Sequence, residues 1–302
     1  MTNFSKSFVA TLIVLVVLLT IVPAALAASV GVKISPLILK YSVEKGHKTS
    51  GVVTVINPNS FNIKVKSEVE DFVMGNEQGA PQFFPQGSGV TTLASWIKVS
   101  IKELNLKPNE KKEVPFSINV PKDGEPGGHY AAVFFKTKSI KTAAGQTQVT
   151  VSGRAGTLVL VSVPGDITQS GQIAEFVSPG FLNKGPVDFK VRFKNTGNVH
   201  YQPSGDIKIS SLLKSNILTL PVGKHYVLPK SIRELKAKWK TGYQFGIYTA
   251  KLNITDGDNK VLTKSVRFVI FPWKESLIVL TIIIIVIALF TVFRKKFQIV
   301  KK

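Results

Sequence analysis

The sequence predicts an all-β protein: two tandem immunoglobulin-like β-sandwich domains followed by a single transmembrane α-helix. Three observations lead there. From residue 29 to 272, short alternating apolar runs bounded by turn residues recur, with no sustained helical period. Both ends of the chain are apolar. The two halves of the middle repeat the same landmarks in the same order.

Residues 1–27 have the three parts of a secretory signal peptide. Lys6 gives a positive start, residues 8–22 are apolar, Pro23 ends the run, and Ala25-Leu26-Ala27 forms a small-residue cleavage site. Cleavage is expected after Ala27.

The first sandwich is expected over residues 28–165. Val52-Val53-Thr54-Val55-Ile56 runs into the turn Asn57-Pro58-Asn59, and Phe61-Asn62-Ile63-Lys64-Val65-Lys66 alternates. Trp96-Ile97-Lys98-Val99 precedes the turn Lys107-Pro108-Asn109-Glu110. In the next strand Pro115 lacks an N–H to donate and suggests a sheet edge. Residues 130–135 form an apolar run suited to a central strand, and residues 149–163 hold one or two more strands. Turn formers gather from Pro164-Gly165-Asp166 to Gly171 and mark the boundary.

The second sandwich is expected over residues 172–272. Val187-Asp188-Phe189-Lys190-Val191-Arg192-Phe193 alternates strictly and breaks at Asn195-Thr196-Gly197-Asn198. Asp256-Gly257-Asp258-Asn259 reads as a type I′ hairpin turn rather than a calcium loop, which needs Gly at its sixth position and Glu at its twelfth.

Residues 276–293 are apolar apart from Ser276, Thr281 and Thr291. As a helix they extend roughly 27 Å, close to a hydrocarbon thickness of about 30 Å. Trp273 stands where an interfacial aromatic belongs. Arg294-Lys295-Lys296 follows, so the tail, residues 294–302, is expected in the cytoplasm and the sandwiches outside, on a single-pass cell-membrane protein.

Cysteine is absent, which excludes disulfides, thiolate metal sites and thiol nucleophiles. Of the 39 basic residues, 33 lie in the exported middle with all 18 acids, leaving it at +15. Such a surface attracts anionic cell-wall polymer. The lysines are scattered rather than striped, so no nucleic-acid partner is expected. The four histidines, His47, His129, His200 and His225, have no HxxxH or HExxH neighbours, and no Gly-x-Ser-x-Gly elbow or phosphate loop occurs. Glu68 and Glu70 share one face of an alternating strand, as on a solvated face. No catalytic residue, metal ligand or cofactor site is expected, and the chain reads as a non-enzyme.

Residues 74–93 stand apart as a polar Gly/Pro-rich loop with Phe83 and Phe84 at its centre. Long loops are often functional. Adjacent phenylalanines cannot share one face of a strand. Either they close the end of the core, or Phe83 and Phe84 contact a partner or glycan.

The repeated landmarks are specific. Asn57, Pro108, Glu113-Val114 and Gly128-His129-Tyr130 in the first half correspond to Asn195, Pro229, Glu234-Leu235 and Gly246-Ile247-Tyr248 in the second. Each tyrosine resembles the tyrosine corner of immunoglobulin-like sandwiches. This architecture, with Leu106-Lys107-Pro108-Asn109-Glu110, Val120-Pro121 and Gly127-Gly128-His129-Tyr130, resembles the bacterial WxL-interacting cell-surface proteins. The first module also resembles the amino-terminal domain of pilus chaperones. The WxL resemblance implies a peptidoglycan-binding first domain and a host-binding second domain. On this reading the chain is a membrane-anchored binding, adhesion or structural protein that contacts cell-wall polymer or other surface proteins. A tethered assembly chaperone or accessory subunit is the alternative.

Overall fold

A computed structural model describes residues 31–88, 92–137, 153–212, 214–215 and 217–299. The signal peptide expected at residues 1–27 and the end of the tail, residues 300–302, lie outside the described residues, as do residues 149–152 of the strand region read above.

Two β-sandwiches follow one another. In the first, one sheet has the order β1-β3-β8-β6, formed by Lys33–Ser35, Lys48–Ile56, Lys111–Asn119 and Ile97–Val99. The facing sheet runs β2-β10-β9-β4-β5, formed by Ile38–Ser42, Arg154–Val163, Gly127–Thr137, Ile63–Met74 and Pro81–Pro85, with β7 (Glu103–Leu106) also on β4. A four-residue helix, α1 (Leu93–Trp96), lies between β5 and β6. Alternate residues of the two sheets, among them Val53, Val65, Phe116, Val133, Phe135 and Val161, make the core.

The second sandwich packs β11-β13-β16 (Gly171–Val177, Val187–Asn195, Ile232–Trp239) on a five-stranded sheet of order β12-β18-β17-β14-β15. The strands of the latter are Phe181–Leu182, Val261–Ile270, Gly246–Thr255, Ser204–Ser211 and Leu218–Pro221. Strict alternation in β13 sends Val187, Phe189, Val191 and Phe193 into the core.

The opening segment of each module changes sheets. Strand β1 pairs with β3, then the chain breaks at Pro36 and β2 runs parallel to β10. Likewise β11 pairs with β13, the chain breaks at Pro179, and β12 runs parallel to β18. A proline at each crossing lacks the N–H that would continue the first ladder.

The repeated asparagines have one job in both modules. Each is fully buried where a strand gives way to a turn: Asn195 ends β13 and Asn57 follows β3. Asn57 Nδ2 donates to the carbonyls of Phe61, Leu106 and Lys107 at 2.8–3.2 Å, and its Oδ1 accepts from Asn59 N. Asn195 Nδ2 donates to Val199 and Val227 carbonyls, and its Oδ1 accepts from Gly197 N. The residue after each landmark proline, Asn109 or Lys230, is left-handed, with φ 58° and 60°. Val114 pairs with Val53 and Leu235 with Val191, four residues before each asparagine.

Three expectations about strands and turns are corrected. Strand β8 is not an edge: it lies between β3 and β6. Pro115 acts one level down. Ser100 N reaches the Pro115 carbonyl at 3.0 Å, but proline has no N–H to return, so β6 stops at Val99. Residues 74–93 are not one loop: they contain the return strand β5 and α1. Residues 256–260 form a five-residue connection between Thr255 and Val261, not a two-residue turn. The buried Asp256 carboxylate organises it by accepting from the backbone of Asp258 and Lys260.

The tyrosines also part company. Gly127 faces Val163 and Gly246 faces Ile270, the last pair of each hairpin, so the position equivalent to Tyr248 is His129. Tyr248 is a corner tyrosine in the core, its hydroxyl donating to Phe245 O at 3.4 Å. His129 packs at a tilt against Trp96, their ring centroids 4.4 Å apart, with Nε2 2.9 Å from Glu125 O. Tyr130 therefore points out of the first sandwich.

From Trp273 the chain is one helix, α2 (Trp273–Ile299), which passes beyond the apolar span at both ends. It is long and apolar enough to cross a membrane.

Candidate functional site

The outward face of the first sandwich is apolar where it meets the second. Phe72 on β4, Tyr130 on β9 and Leu160 on β10 are buried with Leu228, which precedes the landmark proline of the second module. Phe83, Leu158 and Tyr226 pack around them. Residues 130–135 are thus apolar in succession because both faces of β9 are covered.

Polar contacts flank this cluster. On one side, the turn between β4 and β5 reaches across to β13 and β16. Arg192 clamps both oxygens of Glu77, with Nε at 2.8 Å from Oε2, and also meets Glu175 at 3.4 Å. These bonds hold the Glu77 carboxyl below the usual carboxylate range and raise the Arg192 guanidinium. Glu234 N donates to Glu77 O at 2.7 Å. Gly79 lies flat against the Arg233 guanidinium: with φ +86°, an added Cβ would fall 0.8 Å from its nitrogen. On the other side, Gly128 N donates to Asn198 O at 2.8 Å, and a Cβ on Gly127 (φ +121°) would sit 2.8 Å from that same carbonyl.

Between these flanks the tyrosine hydroxyl of Tyr130 lies 3.2 Å from His200 Nδ1. Burial and the nearby Lys40 ammonium depress His200 to about 4, so the ring is neutral. Burial pushes the Tyr130 phenol up. Lys40 Nζ donates to Tyr226 OH at 2.6 Å. A cleft of about 240 Å³ opens beside these groups, walled by Ile38, Phe72, Leu158, Leu160, Tyr226 and Leu228. Lys224, His225 and Arg233 also line it.

Strand β2 forms one lip. Val43 N and Leu37 O bond to β10, so the odd positions face inward and the backbone groups of Ile38, Lys40 and Ser42 point away from the sheet. Among the described residues β2 pairs on that one side only. Leu37 is 68% exposed.

Phe83 and Phe84 take opposite faces of β5. Phe83 is half-buried, 4.8 Å edge-on from Phe134 and 6.0 Å from Phe72, with the Arg154 guanidinium 5.6 Å from its ring and 4.2 Å from that of Phe134. Phe84, also half-buried, stands opposite Asp71, whose carboxylate accepts from Ala94 N at 2.8 Å. Glu77, Arg192, Lys40, Tyr226 and His200 escaped the sequence reading. They lie far apart in the chain, and the outward apolar face of β4, β9 and β10 was their only signal. Among the described residues no three His, Asp or Glu side chains are grouped to hold a metal.

No protein-family model and no curated protein matches the sequence, so the WxL-interacting resemblance draws no support there. Similar solved structures include the YadV chaperone (TM-score 0.39, 10% identity, covering 78% of this chain and 99% of that one). Others are the E. coli chaperone DraB (0.39, 13%, 79% and 98%) and a Porphyromonas gingivalis W83 protein of unknown function (0.32, 13%, 79% and 99%). At these scores the likenesses assign no partner and no activity to this chain.

Proposed function

We propose that the chain is a membrane-anchored, non-catalytic binding protein of the cell surface, and that a protein partner docks at the module junction. The sandwiches face outward, the signal peptide is removed after Ala27, and the basic tail stays in the cytoplasm. One observation carries the docking reading: an apolar cleft lies directly beside the open edge of β2. An extended partner segment would pair with the outward backbone groups of Ile38, Lys40 and Ser42 and place an apolar side chain in the cleft, the two components of strand addition. Phe83, behind Phe72, supports the wall of that cleft, and Phe84 is left for a separate contact.

The ectodomain, residues 28–272, used as bait on solubilised envelope material, is expected to retain one protein. Ile38→Asp is expected to lower recovery at least tenfold with the melting temperature preserved. Unchanged recovery from the Ile38→Asp and Leu37→Asp baits would refute docking here, and turnover of glycan or peptide substrates would refute the non-enzymatic reading.

A second reading, anionic wall polymer, has its own support. On the outer face of the five-stranded sheet Lys208 stands directly opposite Lys251, a like-charge pair that bound polyanion would relieve. Retention on polymer that weakens with salt and is lost in Lys208→Glu/Lys251→Glu would favour it. An assembly chaperone or accessory subunit remains the alternative within the first reading, distinguished by whether the captured protein is later released to a larger assembly.

A further inference from the structure

The end of the second module nearest α2 carries an apolar surface with no protein covering it among the described residues. Phe181, Val269 and Ile247 stand side by side across β12, β18 and β17, all on the outward face. Phe181 is 57% exposed. Beside them the connection between β16 and β17 presents Tyr243 (58% exposed) and Phe245 (73%), and the Phe245 ring meets that of Phe271 at 5.5 Å. Lys184 sits 5.3 Å from the Tyr243 ring and Lys274 5.7 Å from that of Trp273.

Only Phe271 and Pro272 separate β18 from α2. The join is braced. Phe271 N donates to Leu182 O at 2.9 Å. The Asn183 amide donates to the Glu275 carboxylate at 3.0 Å and its oxygen accepts from Lys274 N at 3.3 Å. The aromatic surface therefore lies at the level where the helix begins.

We infer that this surface, Phe181, Tyr243, Phe245 and Ile247 with Lys184 and Lys274, is a foot that rests in the lipid headgroup layer. The inference rests on α2 spanning the bilayer. Three observations select lipid as the occupant. The surface adjoins the membrane helix itself. Its composition, aromatic rings with lysines at their rims, is that of an interfacial belt. And the uninterrupted apolar stretch, residues 277–293, covers only about 26 Å of a hydrocarbon core of about 30 Å. A span that is short by several ångströms draws its flanking structure toward the bilayer.

The absence of native cysteine allows single labels at chosen sites. The full-length protein is reconstituted in vesicles of phosphatidylcholine and phosphatidylglycerol with an environment-sensitive fluorophore at Tyr243→Cys, Phe245→Cys, Lys224→Cys or Ile283→Cys. Nitroxide lipids labelled at the headgroup are expected to quench positions 243 and 245 at least threefold more than position 224, beside the module junction. Nitroxides deep in the acyl chain are expected to quench position 283. Equal quenching at 243, 245 and 224 with position 283 still quenched overturns the foot and leaves the spanning helix standing. Loss of quenching at position 283 as well overturns both.

Discussion

At the scale of single residues, two asparagines each hold one module's loops in place. Each buried carboxamide ties a turn to the loop ahead of the landmark proline. Truncation strands several buried backbone groups, at about 1–3 kcal/mol each. Asn57→Ala and Asn195→Ala are each expected to cost about 3 kcal/mol or more, seen calorimetrically as a fall of roughly 10 °C or more in the melting of the affected module. The sequence displayed these residues as repeated turn formers. It did not display their burial, because carboxamide bonding to carbonyls 32–50 positions away leaves no local pattern.

His200 makes the junction sensitive to acid. The unfolded ring titrates near 6.5 and the folded one near 4. Between those values the unfolded chain binds a proton that the folded chain refuses. Stability is therefore flat above about pH 6.5 and falls as the pH drops toward 4, by about 2–3 kcal/mol over the window. Urea melts at a series of pH values are expected to show this loss, and His200→Gln, which keeps a polar group beside Tyr130 but removes the titrating ring, is expected to flatten it.

At the scale of elements, the β4–β5 hairpin is the clearest departure from the sequence reading. Adjacent phenylalanines between prolines carry no period-2 signal, so residues 81–85 looked like loop. They form a strand because β4 supplies a ladder from Glu70 to Met74. The turn of that hairpin is a clasp on the second module, and its tightest point is Gly79. Gly79→Ala is expected to expel the Arg233 guanidinium and loosen the clasp. Limited proteolysis should then cut residues 164–170 at least tenfold faster, while Gly242→Ala, where an added Cβ meets nothing within 4 Å and the backbone is not left-handed, should leave the rate unchanged. Strand β8 teaches the complementary lesson. Proline in a strand reports a missing donor, and whether the whole strand or one ladder step is at the edge depends on how far its neighbour runs.

At the scale of the whole molecule, the all-β class and the terminal apolar helix were legible in periodicity and hydropathy, both local properties of the chain. The duplicated plan was legible too, down to the asparagine–proline pairing. The junction was not, because its partners come from both modules and depend on how they dock. The Tyr130–Tyr248 correspondence misled by one residue, enough in a strand to turn a side chain to the opposite face. The clasp, the apolar cluster and the Tyr130–His200 bond together predict cooperative behaviour. The ectodomain is expected to melt in a single calorimetric transition. Glu77→Lys, which sets a cation against Arg192, is expected to split that transition in two.

Two residues, Phe271 and Pro272, are all that lie between the last strand and the helix, and Leu182 and Asn183 brace the join by bonding Phe271 and the first turn of the helix. There is no slack to act as a spring. If the helix spans a bilayer with the modules outside, as proposed, a pull on the distal module would travel through the clasped junction into the helix as leverage on the surrounding lipid, so the molecule should behave as a stiff post rather than a leash. Its reach from the cell would be set by its own height.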